Sequence, residues 1–77
     1  MQRIPISSST VKSAGYVDGI LEIEFRKGPV YRYFDVPTEV AEAFMASDSK
    51  GRYFLTHIRD RYEYNEVDPD TARLDDR

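Results

Sequence analysis

The chain has 77 residues, 40% of them hydrophobic, and a formal net charge of −3 at pH 7. This length allows one small domain, and the absence of cysteine excludes disulfide bonds and thiolate metal sites. Six tyrosines and four phenylalanines must therefore supply much of the core. The sequence shows no apolar secretory signal and no run that could span a membrane, so we expect a cytoplasmic protein with no membrane partner.

Charge is distributed unevenly along the chain. Residues 63–77 contain six acidic and two basic residues, a net of −4, whereas the preceding part contains nine basic and eight acidic residues, a net of +1. Within residues 50–62, a single acid, Asp60, accompanies four basic residues: Lys50, Arg52, Arg59 and Arg61. We therefore predict one domain over residues 1–67 with a basic helix, followed by an acidic tail over residues 68–77 that we expect to be disordered.

The first half of the chain predicts an antiparallel β-meander. A strand from about Thr10 to Val17 leads into Asp18-Gly19, a hairpin signal because glycine accepts the positive φ of a tight turn. The next strand alternates, with apolar residues at 21, 23 and 25 and charged residues at 22, 24 and 26. A third strand follows and ends at Pro37, which cannot donate to a strand ladder.

The register of the second hairpin follows from its turn. We predict a three-residue loop over residues 27–29, which sets Tyr33 opposite Ile23 on one face of the sheet. The same loop sets Arg32 opposite Glu24 on the other face, where the opposite charges favour the pairing. Tyr31 and Tyr33 then share the face that meets the helices.

The remaining residues predict two short helices. The first begins after Pro37, which suits a first helical turn, and ends near Ala46. The second runs from Lys50 to Tyr62 and buries a stripe at i, i+4 and i+8 spacing that starts at Phe54. Residues 64–67 offer a short final strand. We therefore predict an α+β fold, a three-stranded antiparallel β-meander packed against two short α-helices, with a short final strand as an option.

Several short motifs occur in a fixed order: Ser9, Gly15-Tyr16, Leu21-x-Ile23-x-Phe25, Gly28, Tyr31-Arg32-Tyr33-Phe34-Asp35-Val36-Pro37, Ser49-Lys50-Gly51-Arg52-Tyr53-Phe54, Ile58-Arg59 and Tyr62. This ordered set resembles the KTSC domain, a small module named after the C-terminal extension of some lysyl-tRNA synthetases. The resemblance covers residues 8–67 and implies the same α+β fold. Family members also occur as stand-alone bacterial and phage proteins, which implies that this chain is one. RNA binding has been proposed for the family from the synthetase context, so the resemblance implies that function here.

The residues themselves indicate a site for RNA or another single-stranded nucleic acid, because such sites combine aromatic platforms for bases with cations for phosphates. Free amides at the start of a helix add a phosphate seat. The candidate residues are Lys50, Gly51, Arg52, Tyr53, Arg59, Arg61 and Arg32. Tyr31 and Tyr33 are further candidates, although core packing is the commoner use of tyrosine on such a face. The acidic pI of about 5.0 argues against tight general binding of polyanions.

A protein-interaction or self-association module is the alternative function. An unpaired strand edge accepts a strand from a protein partner or from a second copy in a homodimer. On the face opposite the tyrosines, apolar groups would be partly exposed, which is typical of a contact surface; they belong to Val30, Phe34 and Val36. Alternatively, Ile4 and Ile6 or Tyr64 and Val67 cover this face.

The sequence does not indicate an enzyme. His57 is the one histidine, and with Asp60 it supplies at most half of a hydrolytic triad. A single histidine with scattered carboxylates also lacks the spacing of a zinc or calcium site. We therefore predict no catalytic residue, no metal and no cofactor.

Overall fold

A computed structural model describes residues 3–67, so the predicted acidic tail lies outside the described residues. The elements, in chain order, are β1 (Ile4–Pro5), β2 (Val11–Val17), β3 (Ile20–Phe25), β4 (Val30–Tyr33), α1 (Thr38–Ala46), α2 (Lys50–Tyr53), a π-helical turn (Phe54–Ile58) and β5 (Tyr64–Val67). The strands form one antiparallel sheet in the order β1-β2-β3-β4-β5. Both helices belong to the connection between β4 and β5 and pack on one face of the sheet, which we call the inner face.

The sheet has five strands rather than the three predicted. The predicted meander corresponds to β2, β3 and β4, and the optional final strand is confirmed as β5. β1 was missed because it has only two residues and one of them is Pro5, a residue that argues against a strand. A proline is tolerated here because β1 is an edge strand, where a missing N–H does not interrupt the hydrogen bonds between strands. β5 offers little hydrophobic signal, since three of its four residues are exposed.

The predicted register between β3 and β4 is wrong by two residues. Tyr33 lies opposite Leu21, and Arg32 lies opposite Glu22 rather than opposite the next glutamate along the strand. Because side chains alternate with a period of two, this shift leaves each residue on the face that was predicted for it. The tyrosines therefore face the helices, and Arg32 faces away from them.

The position of the glycine in the turn explains the register. The loop occupies residues 26–28, not 27–29, because the Phe25 amide donates to the Pro29 carbonyl and the Gly28 amide donates to the Phe25 carbonyl, both at 2.9 Å. Gly28 has φ 120°, a value that other residues rarely adopt, so it occupies the last loop position. Pairing with β3 therefore resumes at Pro29, opposite Phe25 and one residue earlier than predicted, and β4 itself begins at Val30.

The core lies between the inner face and the helices. Its buried residues come from β2, β3, β4, the loop after β4, α1 and the π-helical turn: Val11, Ala14, Leu21, Ile23, Tyr33, Val36, Ala41, Phe44, Phe54 and Ile58. Seven partly buried residues, among them Phe25, Tyr31 and Tyr62, pack around this cluster together with Ile6. Burial of these side chains supplies the main stabilisation of so small a domain.

The second helical segment ends at Ile58, four residues before the predicted end at Tyr62. The Arg59 amide donates to the Phe54 carbonyl at 2.8 Å, the i to i−5 bond of a π-helical turn. Arg59 then takes an extended ψ of 134°, and Asp60 has φ 64°. A residue in this left-handed region ends a helix, and aspartate is one of the few side chains that tolerate it.

An ion-pair network covers the opposite, outer face of the sheet. The Glu22 side chain is 0% exposed although the helices lie on the other face. Its carboxylate accepts from Arg32 Nε at 2.6 Å and from Arg3 Nη1, so two arginine stems screen it from solvent. Glu24, on the same strand and face, pairs with Lys12 at 3.9 Å. The outer face is therefore charged and internally neutralised.

The predicted apolar patch on the outer face is absent from the part of the chain that the structure describes. Val30 is fully buried, Phe34 is half-buried, and Val36 belongs to the core on the inner side. Asp35 has φ 58°, and this reversal of the backbone turns the next residue back toward the helices. The exposure predicted for Val30 and Val36 is therefore wrong, whereas contact with a protein partner stays a prediction.

We predict that Glu22→Gln lowers the free energy of unfolding by about 2 kcal/mol, below the cost for a fully buried pair because both arginines are partly exposed. The amide keeps the shape of the side chain but leaves two guanidinium groups without their carboxylate. Urea denaturation measures the loss. Glu24→Gln is the matched control and should cost less than about 0.5 kcal/mol. Equal losses in the two variants would contradict the anchoring role of Glu22.

Candidate nucleic-acid interface

A cavity of about 630 Å³ opens between strands β3, β4 and β5 and the end of the π-helical turn. Five aromatic residues line it: Phe25, Tyr31, Tyr33, Phe54 and Tyr64. The Tyr31 and Tyr64 rings meet edge to face at 5.5 Å, and the Tyr33 and Phe54 rings do so at 5.6 Å. These contacts hold the rings in a fixed arrangement, so the cavity has a preformed aromatic wall.

The tyrosines of this wall belong both to the core and to the cavity. Tyr33 is 3% exposed, Tyr31 is half-buried, and Tyr64 is 55% exposed. Core packing of Tyr33 is therefore confirmed, whereas a contact of either Tyr31 or Tyr33 with nucleic acid stays a prediction. Burial raises the pKa of the Tyr33 phenol far above its usual value, and the neighbouring Tyr31 and Tyr64 raise it further. Its hydroxyl group stays protonated at physiological pH.

Charged side chains surround the aromatic wall. The cavity is lined by three cations and one carboxylate: Arg26, Lys27, Arg59 and Asp60. Arg26 also donates from Nη2 to the Ile6 carbonyl at 3.1 Å and from Nε to the Ser8 carbonyl. These bonds hold the segment before β2 against the cavity, so the segment forms part of the wall.

A second depression, of about 550 Å³, continues the cavity toward the start of α2. The two share Ser9, Thr10, Phe25 and Phe54 as lining residues. The second one adds Lys50 and Arg52, with Asp48 as its carboxylate. We call the joined surface the groove. It combines aromatic rings, serine and threonine hydroxyls, and five cations against two carboxylates.

Gly51 has a packing role at the wall of the groove. A Cβ atom on this residue would lie 2.9 Å from Thr10 Oγ1, closer than such atoms approach in folded proteins. The missing side chain therefore lets the start of α2 lie directly against the segment before β2. The phosphate seat that we expected beside Gly51 stays a prediction.

The structure separates the residues that the sequence grouped together. Lys50, Gly51, Arg52 and Arg59 line the groove, and Tyr31 and Tyr33 form its wall. Tyr53 does not line it: its ring stacks on His57 with centroids 4.3 Å apart and contacts Phe44. Arg61 lines an adjoining depression, beside Phe34 and Tyr62, which shares Asp60 and Tyr64 with the aromatic cavity. Arg32 lies on the outer face, bound to Glu22.

The groove residues that sequence reasoning missed as site residues include Phe25, Arg26, Lys27, Asp60 and Tyr64. Three of them belong to the turn between β3 and β4 or to its border. Tyr64 reaches the cavity because it pairs with Tyr33 across β4 and β5. Once β5 is recognised as a strand, Tyr33 and Tyr64 stand at the two ends of the connection between β4 and β5, and this signal could have predicted that Tyr64 lies beside Tyr33.

In the part of the chain that the structure describes, the cations on the outer face of the sheet form ion pairs, whereas those that line the groove do not. Within residues 3–67, the ion pairs lie on the outer face, where Arg3, Arg32 and Lys12 engage glutamates. No carboxylate of the described part lies within 4 Å of the cations that line the groove. The groove therefore keeps a net positive charge, five cations against two carboxylates, despite the acidic composition of the chain.

Comparison with known proteins agrees with this architecture. The family model of the KTSC domain matches residues 7–64, three-quarters of the chain. The chain belongs to the KTSC family. A crystal structure of a KTSC domain protein from Yersinia pestis superposes with a TM-score of 0.81 and 39% sequence identity, covering 86% of this chain and 96% of that one. The resemblance predicted from the ordered motifs is therefore confirmed.

Two further relatives set the KTSC domain in context. An uncharacterized protein from Stutzerimonas stutzeri is 41% identical over 71 residues, which covers 88% of this chain and all of that protein. A lysine–tRNA ligase from Trichormus variabilis is 40% identical over 47 residues, which covers 61% of this chain and 8% of the ligase. The module thus occurs both as a whole small protein and as a minor part of a large enzyme.

Two classes of feature are absent from the described residues. Between residues 3 and 67, no three His, Asp or Glu side chains come together in a group that could hold a metal ion. In the same part of the chain, none of the helices has the length and apolar character needed to cross a membrane.

The raised pKa of Tyr33 predicts a loss of stability at alkaline pH. The phenol ionises near pH 10 in the unfolded chain but only at higher pH in the folded one, so stability is fully present below about pH 10 and falls as the pH rises further. Urea unfolding between about pH 8 and about pH 11 measures this fall. Tyr33→Phe removes the ionisation and should reduce the fall in the free energy of unfolding with pH. An equal fall in both proteins would contradict burial of the phenol.

Proposed function

We propose that this KTSC domain is a non-enzymatic module that binds single-stranded nucleic acid, RNA above all, in the groove. The observation that carries the proposal is the preformed aromatic wall beside cations that have no carboxylate partner. Exposed bases stack on aromatic rings, and cations track the phosphates. Tyr64 is the exposed ring on which a base would stack, and Arg59 is the cation beside it.

Charge and context both support this proposal. The acidic pI describes the whole chain, whereas a polyanion meets the local field of the groove, with five cations against two carboxylates. A segment related to this chain also occurs in lysine–tRNA ligases, enzymes that handle an RNA. We further propose a cytoplasmic location, for which the lack of cysteine in the sequence is the support.

Fluorescence polarisation with single-stranded RNA, single-stranded DNA and duplex DNA tests the proposal at low and near-physiological salt. We expect binding to single strands that weakens steeply with salt, because phosphate contacts release counterions. Absence of binding to every probe at low salt would contradict the proposal. It would leave self-association or a protein partner, through the exposed edge of β5, as the alternative.

We predict that Arg59→Gln weakens binding about fivefold and reduces the salt dependence, whereas Arg61→Gln leaves both nearly unchanged. The two variants are matched, because each removes one exposed arginine from the same stretch of chain. The Arg59 side chain lines the aromatic cavity, whereas the Arg61 side chain lines an adjoining depression that shares Asp60 and Tyr64 with the cavity but none of its cations. Equal effects of the two substitutions would show that binding responds to net charge rather than to the groove.

We predict that Tyr64→Ser weakens binding about tenfold, because stacking of a base on an aromatic ring contributes about 1 to 3 kcal/mol. Tyr64→Phe keeps the ring and should bind within about twofold of the wild type. Titration of a fluorescent single strand measures both affinities. Because Tyr64 is 55% exposed, the serine variant should remain folded, which its urea midpoint checks. Unchanged affinity in Tyr64→Ser would contradict stacking at this position.

A further inference from the structure

One carboxylate, that of Asp60, lines the aromatic cavity together with three cations, at the border with the depression that Arg61 lines. It is exposed, and in the described part of the chain no Lys or Arg nitrogen lies within 4 Å of its oxygens. A carboxylate in a site for a polyanion repels the phosphates, so its presence weakens simple electrostatic binding. The position of Asp60 in the cavity therefore suggests that this carboxylate accepts a hydrogen bond from a part of the ligand other than the phosphate.

The backbone does not require a carboxylate at this position. Asp60 has φ 64°, and glycine or asparagine adopts this left-handed conformation at least as readily. This conformation lets two consecutive residues, Arg59 and Asp60, line the same cavity. Both charges act on the buried Tyr33 phenol: Arg59 lowers its pKa and Asp60 raises it. The cavity thus presents the two acceptor oxygens of the Asp60 carboxylate and the N–H donors of the Arg59 guanidinium.

Guanine matches this pair of groups best among the four common bases. Its N1–H and N2–H₂ groups are adjacent donors on one edge, which the two oxygens of a carboxylate accept together, and its O6 and N7 atoms are acceptors for a guanidinium. Adenine, cytosine and uracil do not present two adjacent ring and amino donors of this kind. The hydroxyl group of Tyr33 remains a hydrogen-bond donor, because its raised pKa keeps it protonated.

Resting on the proposed function, we propose that the aromatic cavity binds one guanine base of a single strand, with Asp60 reading its N1–H and N2–H₂ edge. Arg59 contacts O6, N7 or the adjoining phosphate, and the base stacks on the exposed Tyr64 ring, which contacts the Tyr31 ring edge to face. The cavity volume of about 630 Å³ lies in the range of small-molecule sites and accommodates a nucleobase. The single-stranded requirement follows, because a base paired in a duplex cannot present that edge.

The test uses uridine oligonucleotides of about ten nucleotides with one central guanosine, inosine or adenosine. Inosine lacks only the 2-amino group, so the ratio of guanosine to inosine affinity isolates the proposed contact. We expect the wild type to prefer guanosine about tenfold over inosine and at least as strongly over adenosine. Asp60→Asn should reduce the guanosine-to-inosine ratio to about twofold without weakening binding of the inosine strand.

Asp35→Asn is the matched control, because Asp35 also has a left-handed φ of 58° and lies outside the cavity. It removes the same charge and should keep the tenfold preference. A ratio that is unchanged in Asp60→Asn would overturn the proposal. Binding of all three strands with equal affinity by the wild type would also overturn it but would leave the proposed function intact. Failure to bind any strand would overturn both.

Discussion

The buried carboxylate of Glu22 sets the geometry on which the candidate site depends. A charged group without solvent access needs partners, and Glu22 obtains them from Arg32 on the neighbouring strand and from Arg3. Because Arg32 must therefore face outward, the residues on either side of it, Tyr31 and Tyr33, must face inward. The aromatic wall of the groove is thus a consequence of strand alternation around one ion pair, reinforced by the turn at Gly28.

The same alternation separates the charges of the domain. Cations on the outer face are neutralised by the glutamates of β3, whereas the cations near the turn, at the start of α2 and after the π-helical turn are not. A chain with a net charge of −3 can therefore present one locally positive surface. The aromatic rings lie on that surface rather than on the neutral one, and this coincidence of rings and unneutralised charge is the physical basis of the proposed function.

Much of the fold was predictable from sequence, and the errors have identifiable causes. Alternation identified β3 and the face of each tyrosine, and helical spacing identified Phe54 and Ile58 as buried. The register was wrong because hydrophobic alternation repeats every two residues, so only the turn distinguishes the alternatives, and Gly28 lies one position later in the loop than assumed. The site was predicted less well, because Tyr64 and Asp60 join it through long-range pairing and a local backbone reversal that no short motif records.

The most direct test of the nucleic-acid account is an NMR titration, in which backbone amide shifts of the domain are followed as a single-stranded RNA is added at low salt. The account predicts that the perturbed amides cluster around the groove, at Ser9, Thr10, Arg59, Asp60 and Tyr64, and that the outer face around Glu22 and Arg32 is unaffected. Perturbations confined to the outer face, or a spectrum unchanged at saturating RNA, would contradict it.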